Sequence, residues 1–115
     1  MQPHEKLEVY RRTLAFVGEV EGLLGRLPRR GFAVGDQLDR ASGSVLANIA
    51  EGAGEFSPKE KARIYRMALR SATECAGLID ELHVRRRITD ATRDARKQDL
   101  SLICAMLTRL VLRFS

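Results

Sequence analysis

A heptad pattern of apolar residues between Pro58 and about Arg85 constrains the fold of this chain more than any other feature. The predicted inward positions, at alternating spacings of three and four, are Tyr65, Ala68, Ala72, Cys75, Ile79 and Leu82. This spacing places one apolar stripe along a single long helix, and other helices must cover it. Because the central residues of the stripe are small, a neighbouring helix can approach closely. The stretch therefore predicts one helix of a tightly packed bundle.

Three further helical patterns surround this one. The first spans about Glu5 to Leu27, the second about Asp36 to Gly52, and the last begins where Thr89 or Asp90 can cap a helix. The predicted inward residues are Leu7, Tyr10, Leu14, Val17, Val20, Leu24 and Leu27 in the first helix, Leu38, Ala41, Val45 and Ile49 in the second, and Leu100, Ile103, Leu107, Leu110 and Phe114 in the last. Gly43, inside the second helix, predicts a close approach of another backbone.

The second and third helices meet at a sharp corner. Gly52 and Gly54 are suited to ending a helix in the left-handed conformation. Ser57 then predicts an N-cap, Pro58 fits the first helical position, and Glu60 can reach back to complete a capping box. Just before the corner, Asn48 and Glu51 continue the apolar stripe, and we expect their side chains to bind the helix end or the start of the third helix.

Short connections make neighbouring helices antiparallel, so the sequence predicts an all-α, up-down-up-down four-helix bundle with left-handed packing. We expect the 115 residues to form a single domain, 1–115, large enough to fold without a metal or disulfide. In this topology the first and third connections share one end of the bundle. Arg26, Arg29 and Arg30 then lie near Arg85, Arg86 and Arg87.

The corner also carries a resemblance to a known family. The residues that carry it are Arg40-Ala41, Asn48-Ile49-Ala50-Glu51-Gly52, Ser57, Glu60, Ser71 and Glu74. They resemble the four-helix-bundle proteins encoded in intervening sequences of 23S ribosomal RNA genes, which look related to the accessory bundle proteins of diversity-generating retroelements. The resemblance covers nearly the whole chain and implies a ring of five bundles. Leu46, Ala47 and Asp39 depart from the family pattern, which implies a weaker basic surface on the second helix.

The net charge of +5 is concentrated between Lys59 and Arg70, a segment that contains five basic residues and one acidic residue. Four of them, Lys59, Arg63, Arg66 and Arg70, are spaced to share one helix face over about 16 Å. We call these four residues the basic stripe. Such a row fits the phosphates of a nucleic-acid backbone, although a solvated outer face is an equally good interpretation.

A second group of basic residues lies at the other end of the predicted bundle. Arg29, Arg30, Arg85, Arg86 and Arg87 are secondary candidates for phosphate contacts. Nearby acids match Arg85, Arg86, Arg87 and Arg93 in number; they are Asp80, Glu81, Asp90 and Asp94. Aromatic residues do not alternate with the basic ones, so base stacking is not predicted.

The sequence offers few candidate catalytic or metal-binding residues, and we expect neither catalysis nor a cofactor. Asp80 and His83 have the spacing of a metal-binding bundle motif, but a di-iron site needs a second such pair, so an ion pair is the favoured interpretation. Cys75 and Cys104 fall on apolar faces and indicate small core residues in a reducing cytoplasm. The N-terminal residues have no apolar core of the kind that a secretory signal needs, so we do not expect export, and no run is long and apolar enough to span a membrane.

The last helix has more apolar surface than one packing seam requires, because Leu102, Met106, Val111 and Leu112 widen its stripe. We therefore expect contact with another subunit. The favoured hypothesis is a cytoplasmic, non-enzymatic homo-oligomer, a pentamer by the resemblance, that binds structured RNA or an RNA–DNA hybrid by phosphate contacts. The competing hypotheses are a scaffold or accessory subunit that binds a protein partner such as a reverse transcriptase and, less strongly, a metal-dependent enzyme.

Overall fold

Four long helices make up the fold, which we describe from a computed structural model over residues 3–28 and 33–115. A short 3-10 helix, Pro3–Lys6, precedes α1, Glu8–Gly25. Then follow α2, Ala33–Gly54, α3, Pro58–Val84, and α4, Asp90–Phe114. Within the described ranges there is no strand. The molecule measures 43 × 22 × 20 Å, as expected for helices aligned along one axis.

Contacts near the helix ends establish the direction of α3 relative to α4. Lys97, early in α4, binds Asp80 late in α3 with a Nζ–Oδ2 distance of 2.7 Å. At the opposite end, Arg66 Nη2 donates to the Oγ of Ser115, which directly follows α4, at 3.1 Å. These two contacts show that α3 and α4 are antiparallel.

Each helix packs against two others. Helix α1 contacts α2 and α4, and α3 contacts the same two helices, so α1 and α3 lie diagonally across the bundle. Together with the short connections, this arrangement confirms the predicted all-α, up-down-up-down bundle. The left-handed packing stays a prediction.

The core confirms the inward positions predicted for α2 and α3. The buried residues of these two predicted stripes are Leu38, Ala41, Val45, Ile49, Tyr65, Ala68, Ala72, Cys75, Ile79 and Leu82. Burying apolar surface at about 25 cal/mol per Å² is the main force that holds the helices together.

The stripe predicted for α1 was wrong at its centre. Leu14 is 46% exposed. The buried positions of α1 are instead Val9, Thr13, Phe16, Val20 and Leu23. Thr13 can occupy the core because its Oγ1 donates to the Val9 carbonyl oxygen at 2.7 Å. Two neighbouring apolar stripes are therefore present on this helix, and the core uses the one that includes Phe16.

The corner between α2 and α3 is stabilised only in part by the contacts that the sequence predicted. Ser57 Oγ accepts from the Glu60 N–H at 3.3 Å, which confirms the N-cap. Glu60 does not complete a capping box, because its carboxylate binds the Arg63 guanidinium at 2.8 Å. The helix ends at Gly54, as the glycines indicated, but neither Gly52 nor Gly54 has a left-handed backbone, so the predicted conformation of the ending was wrong.

Gly52 is required for packing rather than for backbone conformation. A Cβ at this position would lie 2.9 Å from Cε1 and 3.0 Å from Cδ1 of the buried Tyr65 ring. The close approach predicted at Gly43 was wrong, since a Cβ there would have no neighbour within 4 Å. The glycine that the fold needs in α2 is therefore Gly52.

Helix α3 ends in a left-handed residue that is not glycine. The Arg86 N–H donates to the His83 carbonyl and the Arg87 N–H donates to the Leu82 carbonyl, both at 2.9 Å. These bonds form a Schellman motif in which Arg86 has φ 60°. Glycine is favoured at this position because a Cβ disfavours the conformation by about 1 kcal/mol.

Thr89 is the N-cap of α4, because its Oγ1 accepts from the Thr92 N–H at 3.1 Å. Thr89 was one of the two caps that the sequence predicted. Val111, predicted to widen the outer stripe, is buried, and Met106 packs partly buried against the core. Leu102 and Leu112 remain exposed. The surplus apolar surface of α4 is therefore smaller than the sequence indicated.

Candidate nucleic-acid interface

The basic stripe lies on the solvent face of α3. Lys59, Arg63, Arg66 and Arg70 are all exposed, on the side of the helix away from its buried residues. Their spacing along the helix axis is about 16 Å from first to last. The structure therefore brings the four predicted residues onto one accessible face.

Lys61, the fifth basic residue of this segment, faces elsewhere. Its Nζ donates to the carbonyl oxygens of Gly52 at 3.1 Å and Ala53 at 2.8 Å. These carbonyls belong to the last turn of α2 and have no partner within the helix, so Lys61 acts as a C-terminal cap. The sequence contained a signal for this role. Lys61 lies four residues before the inward-facing Tyr65, so both side chains are on the face of α3 that packs against the core.

Arg63 is engaged by an acid. Its guanidinium donates to Glu60, with a shortest distance of 2.8 Å. This hydrogen bond raises the pKa of Arg63, and the negative charges of Glu60, Glu51 and Glu55 raise it further. A phosphate that binds Arg63 must compete with Glu60, so Arg63 is the weakest member of the stripe.

Arg66 and Arg70 form the most available part of the stripe. Together with Leu69 and Thr73 they line a surface cavity of about 380 Å³. No ion pair among the described residues involves either arginine; the hydrogen bond from Arg66 goes to the neutral Ser115 hydroxyl. Two exposed guanidinium groups one helical turn apart can each donate two parallel hydrogen bonds to a phosphate.

The arginines at the opposite end of the bundle differ in their surroundings. Arg85 Nε binds Glu81 at 3.0 Å. Arg86 and Arg87 line one cavity with Arg26, as the predicted topology required. Arg29 and Arg30, the remaining predicted candidates, lie outside the described residues.

Two of the four acids expected to neutralise this end bind arginines there, Glu81 to Arg85 and Asp94 to Arg93, and the other two do not. Asp80 binds Lys97 at 2.7 Å, and Asp90 Oδ1 lies 2.6 Å from His83 Nε2. The hydrogen bond from His83 holds the pKa of Asp90 below its ordinary value. Counting acids along the sequence thus gave the wrong partners for Asp80 and Asp90.

Asn48 does not bind the corner. Its Nδ2 donates to the carbonyl of Ser44 at 2.9 Å, and Ser44 Oγ lies 3.0 Å from Ser71 Oγ in the middle of α3. Glu51 is exposed. Asn48 therefore belongs to a polar contact between α2 and α3, and the predicted binding of both side chains to the helix ends was wrong for Asn48.

The residues considered for metal or thiol chemistry are separated. Asp80 and His83 bind different partners, and no group of three or more His, Cys, Asp or Glu side chains in the described part of the chain is placed to hold a metal. Burial raises the pKa of Cys75 to about 12, and burial also raises that of Cys104. Both thiols therefore stay protonated near neutral pH.

The comparison with known families decides the relationship. The family model described as 23S rRNA-intervening sequence protein matches residues 5–109. The chain belongs to this family. Among curated proteins none matches the chain. None of the helices in the described segments is long and apolar enough to cross a membrane.

A solved structure shares the fold of this family member. It is a protein of unknown function from the S23 ribosomal protein family of Bacteroides thetaiotaomicron, with a TM-score of 0.85 and 23% sequence identity. The match covers 90% of this chain and 94% of the other chain. At this identity the likeness supports the four-helix fold alone.

Proposed function

We propose that the protein is a non-enzymatic homo-oligomer that binds nucleic acid through backbone phosphates, with structured RNA or an RNA–DNA hybrid as the ligand. The observation that supports this best is the pair formed by Arg66 and Arg70. Both are exposed, neither has an acidic partner among the described residues, and they line the same cavity. Lys59 extends the pair along the helix.

Phosphate contact, rather than base recognition, fits the composition of this face. Tyr65, the only aromatic residue in the segment between Lys59 and Arg70, is buried against Gly52 and cannot stack on a base. The stripe therefore offers charge without a stacking platform. Binding of this kind is insensitive to sequence and strongly dependent on salt.

The family description names an intervening sequence of 23S rRNA, which favours RNA as the ligand class. Oligomerisation would present several copies of the stripe to one nucleic acid. Leu102 and Leu112, exposed on α4, are the candidate contacts between subunits. A ring of five bundles is the assembly that the family resemblance implies.

The test is binding to an RNA duplex, an RNA–DNA hybrid and a DNA duplex over a salt series. The variant is Arg66→Gln/Arg70→Gln, and its matched control is Arg109→Gln/Arg113→Gln, which removes the same charge from exposed sites on α4. Loss of two phosphate contacts should reduce the slope of log K against log salt by about 2 in the first variant only. We expect Arg63→Gln alone to have a smaller effect, because Glu60 already binds that arginine.

Two results would contradict the proposal. Equal losses in the two double variants would assign the binding to overall charge. Absence of binding at low salt in the wild-type protein would leave the stripe as a solvated face.

A second candidate is a scaffold that binds a protein partner. Phe56 at the corner is 97% exposed and Leu112 is 70% exposed, and large apolar side chains of this kind are common at protein interfaces. This function predicts partner binding that is unaffected by Arg66→Gln/Arg70→Gln and weakened by Phe56→Ser.

A further inference from the structure

A basic cavity lies at the end of the bundle, away from the stripe. It has a volume of about 240 Å³ and lies between the end of α1 and the connection from α3 to α4. Its lining residues are Leu23, Arg26, Leu27, Arg86, Arg87, Ile88, Thr89 and Thr92. Three arginines and two threonines therefore line a space that no acidic residue of the described ranges lines.

Two arginines of this cavity, Arg26 and Arg86, differ from the arginines of the molecule that bind an acid. Arginines that pair with an acid within 3.2 Å are Arg12, Arg63, Arg85, Arg93 and Arg96. Across residues 3–28 and 33–115, no ion pair involves Arg26 or Arg86. Positive charge at the cavity is therefore not neutralised at these two side chains.

The backbone at Arg86 adds a reason to assign the side chain a role. Arg86 occupies the left-handed position that ends α3, where glycine fits without strain. An arginine kept in such a conformation, with its side chain at a cavity, is a feature found where strain accompanies function. The hydrogen bonds from the Arg86 and Arg87 amides to α3 hold the backbone in this conformation.

The start of α4 adds to the positive electrostatic potential at the cavity. Thr89 caps this helix and Thr92 lies in its first turn, so the positive end of the helix dipole is close to the cavity. Asp90, the acid in this turn, does not line the cavity and binds His83 instead. Arginine donors and a helix N-terminus together favour a compact, multiply charged oxyanion.

We propose that this cavity is a binding site for a phosphate group, held by Arg26, Arg86 and Arg87. The group is either a free oligophosphate or the terminal phosphate of a nucleic acid. The site is separate from the basic stripe, and its occupancy by a free phosphate does not depend on nucleic-acid binding at α3.

The experiment is a titration with pyrophosphate at constant ionic strength, followed by the backbone amide resonances of Arg86, Arg87, Thr89 and Thr92. Wild-type protein should show saturable shifts at these amides. The Arg26→Gln/Arg86→Gln variant should bind about tenfold more weakly or worse, because hydrogen bonds from charged donors are lost. The matched control Arg109→Gln/Arg113→Gln should keep its affinity.

Non-saturable shifts, or an equal loss in the control variant, would overturn the proposal, since either result indicates attraction by net charge alone. A second arm compares an RNA duplex carrying a 5′-phosphate with the same duplex carrying a 5′-hydroxyl, in the Arg66→Gln/Arg70→Gln background. Tighter binding of the phosphorylated duplex assigns the site to a nucleic-acid end, and equal binding assigns it to free oligophosphate. Saturable pyrophosphate binding in a protein that binds no duplex would sustain this site while refuting the function proposed for the stripe.

Discussion

Two glycines of α2 offer a direct test of the packing described above. Replacing a glycine by alanine in a helix interior gains up to about 1 kcal/mol of helix stability, because alanine has less backbone freedom to lose. Gly43 lies in the interior of α2, whereas Gly52 lies in its last turn. At the exposed Gly43 a new Cβ contacts nothing within 4 Å, so the gain should appear in full. We therefore expect Gly43→Ala to stabilise the protein by roughly 0.5–1 kcal/mol.

At Gly52 the same substitution meets the Tyr65 ring. The new Cβ would lie 2.9, 3.0 and 3.3 Å from three ring carbons, whereas carbon atoms prefer about 3.5–4.0 Å. Tyr65 is 2% exposed, so the ring has little space into which it can move. Overpacking of this kind destabilises by about 1–3 kcal/mol, which offsets or exceeds the gain in propensity. We expect Gly52→Ala to be neutral to destabilising by about 2 kcal/mol.

Urea denaturation of both variants, at equal protein concentration, measures the difference. The free energies of unfolding should differ by about 0.5–3 kcal/mol, with Gly43→Ala the more stable. Adding Tyr65→Leu to each variant should reduce this difference, because the clash is with the ring itself. Equal stabilisation by the two alanines would refute the assignment of Gly52 to ring packing.

Three further predictions follow from the ends of α3 and from the buried thiols. Arg86→Gly should stabilise the fold by about 0.5–1 kcal/mol in thermal unfolding, because it relieves the left-handed conformation; destabilisation would contradict the Schellman assignment. Cys75, with its pKa raised to about 12, should resist alkylation in the folded protein and react later than the half-buried Cys104 in mass-spectrometric labelling; equal rates would show that burial does not protect it. Because the pKa of Asp90 is lowered, its stabilising contribution is present above the ordinary value and is lost as pH falls through the lowered one. His83→Ala should return the Asp90 pKa toward its ordinary value in a carboxyl NMR titration, and an unchanged pKa would exclude the His83 contact as the cause.

The functional assignments depend on where the basic side chains lie and on what they bind. The spacing of residues along the sequence predicted only the first of these. The sequence placed Lys59, Arg63, Arg66 and Arg70 on one face, because residue spacing along a helix fixes that face. It did not indicate that Glu60 binds Arg63 or that Lys61 binds carbonyls at the end of α2. These pairings depend on side-chain geometry and on a second helix, so counting charges along the chain could not reveal them.

The sequence by itself determined the number of helices, their approximate ends and the core faces of α2 and α3. Heptad spacing and the Ser57 and Thr89 caps are local properties, because they involve residues within one or two turns. The tertiary structure decided which of the two apolar stripes on α1 faces the core, since only contact with the other helices distinguishes Phe16 from Leu14. It also decided which glycine of α2 is required. The difference in packing arises from the Tyr65 ring, which α3 places against Gly52 and not against Gly43.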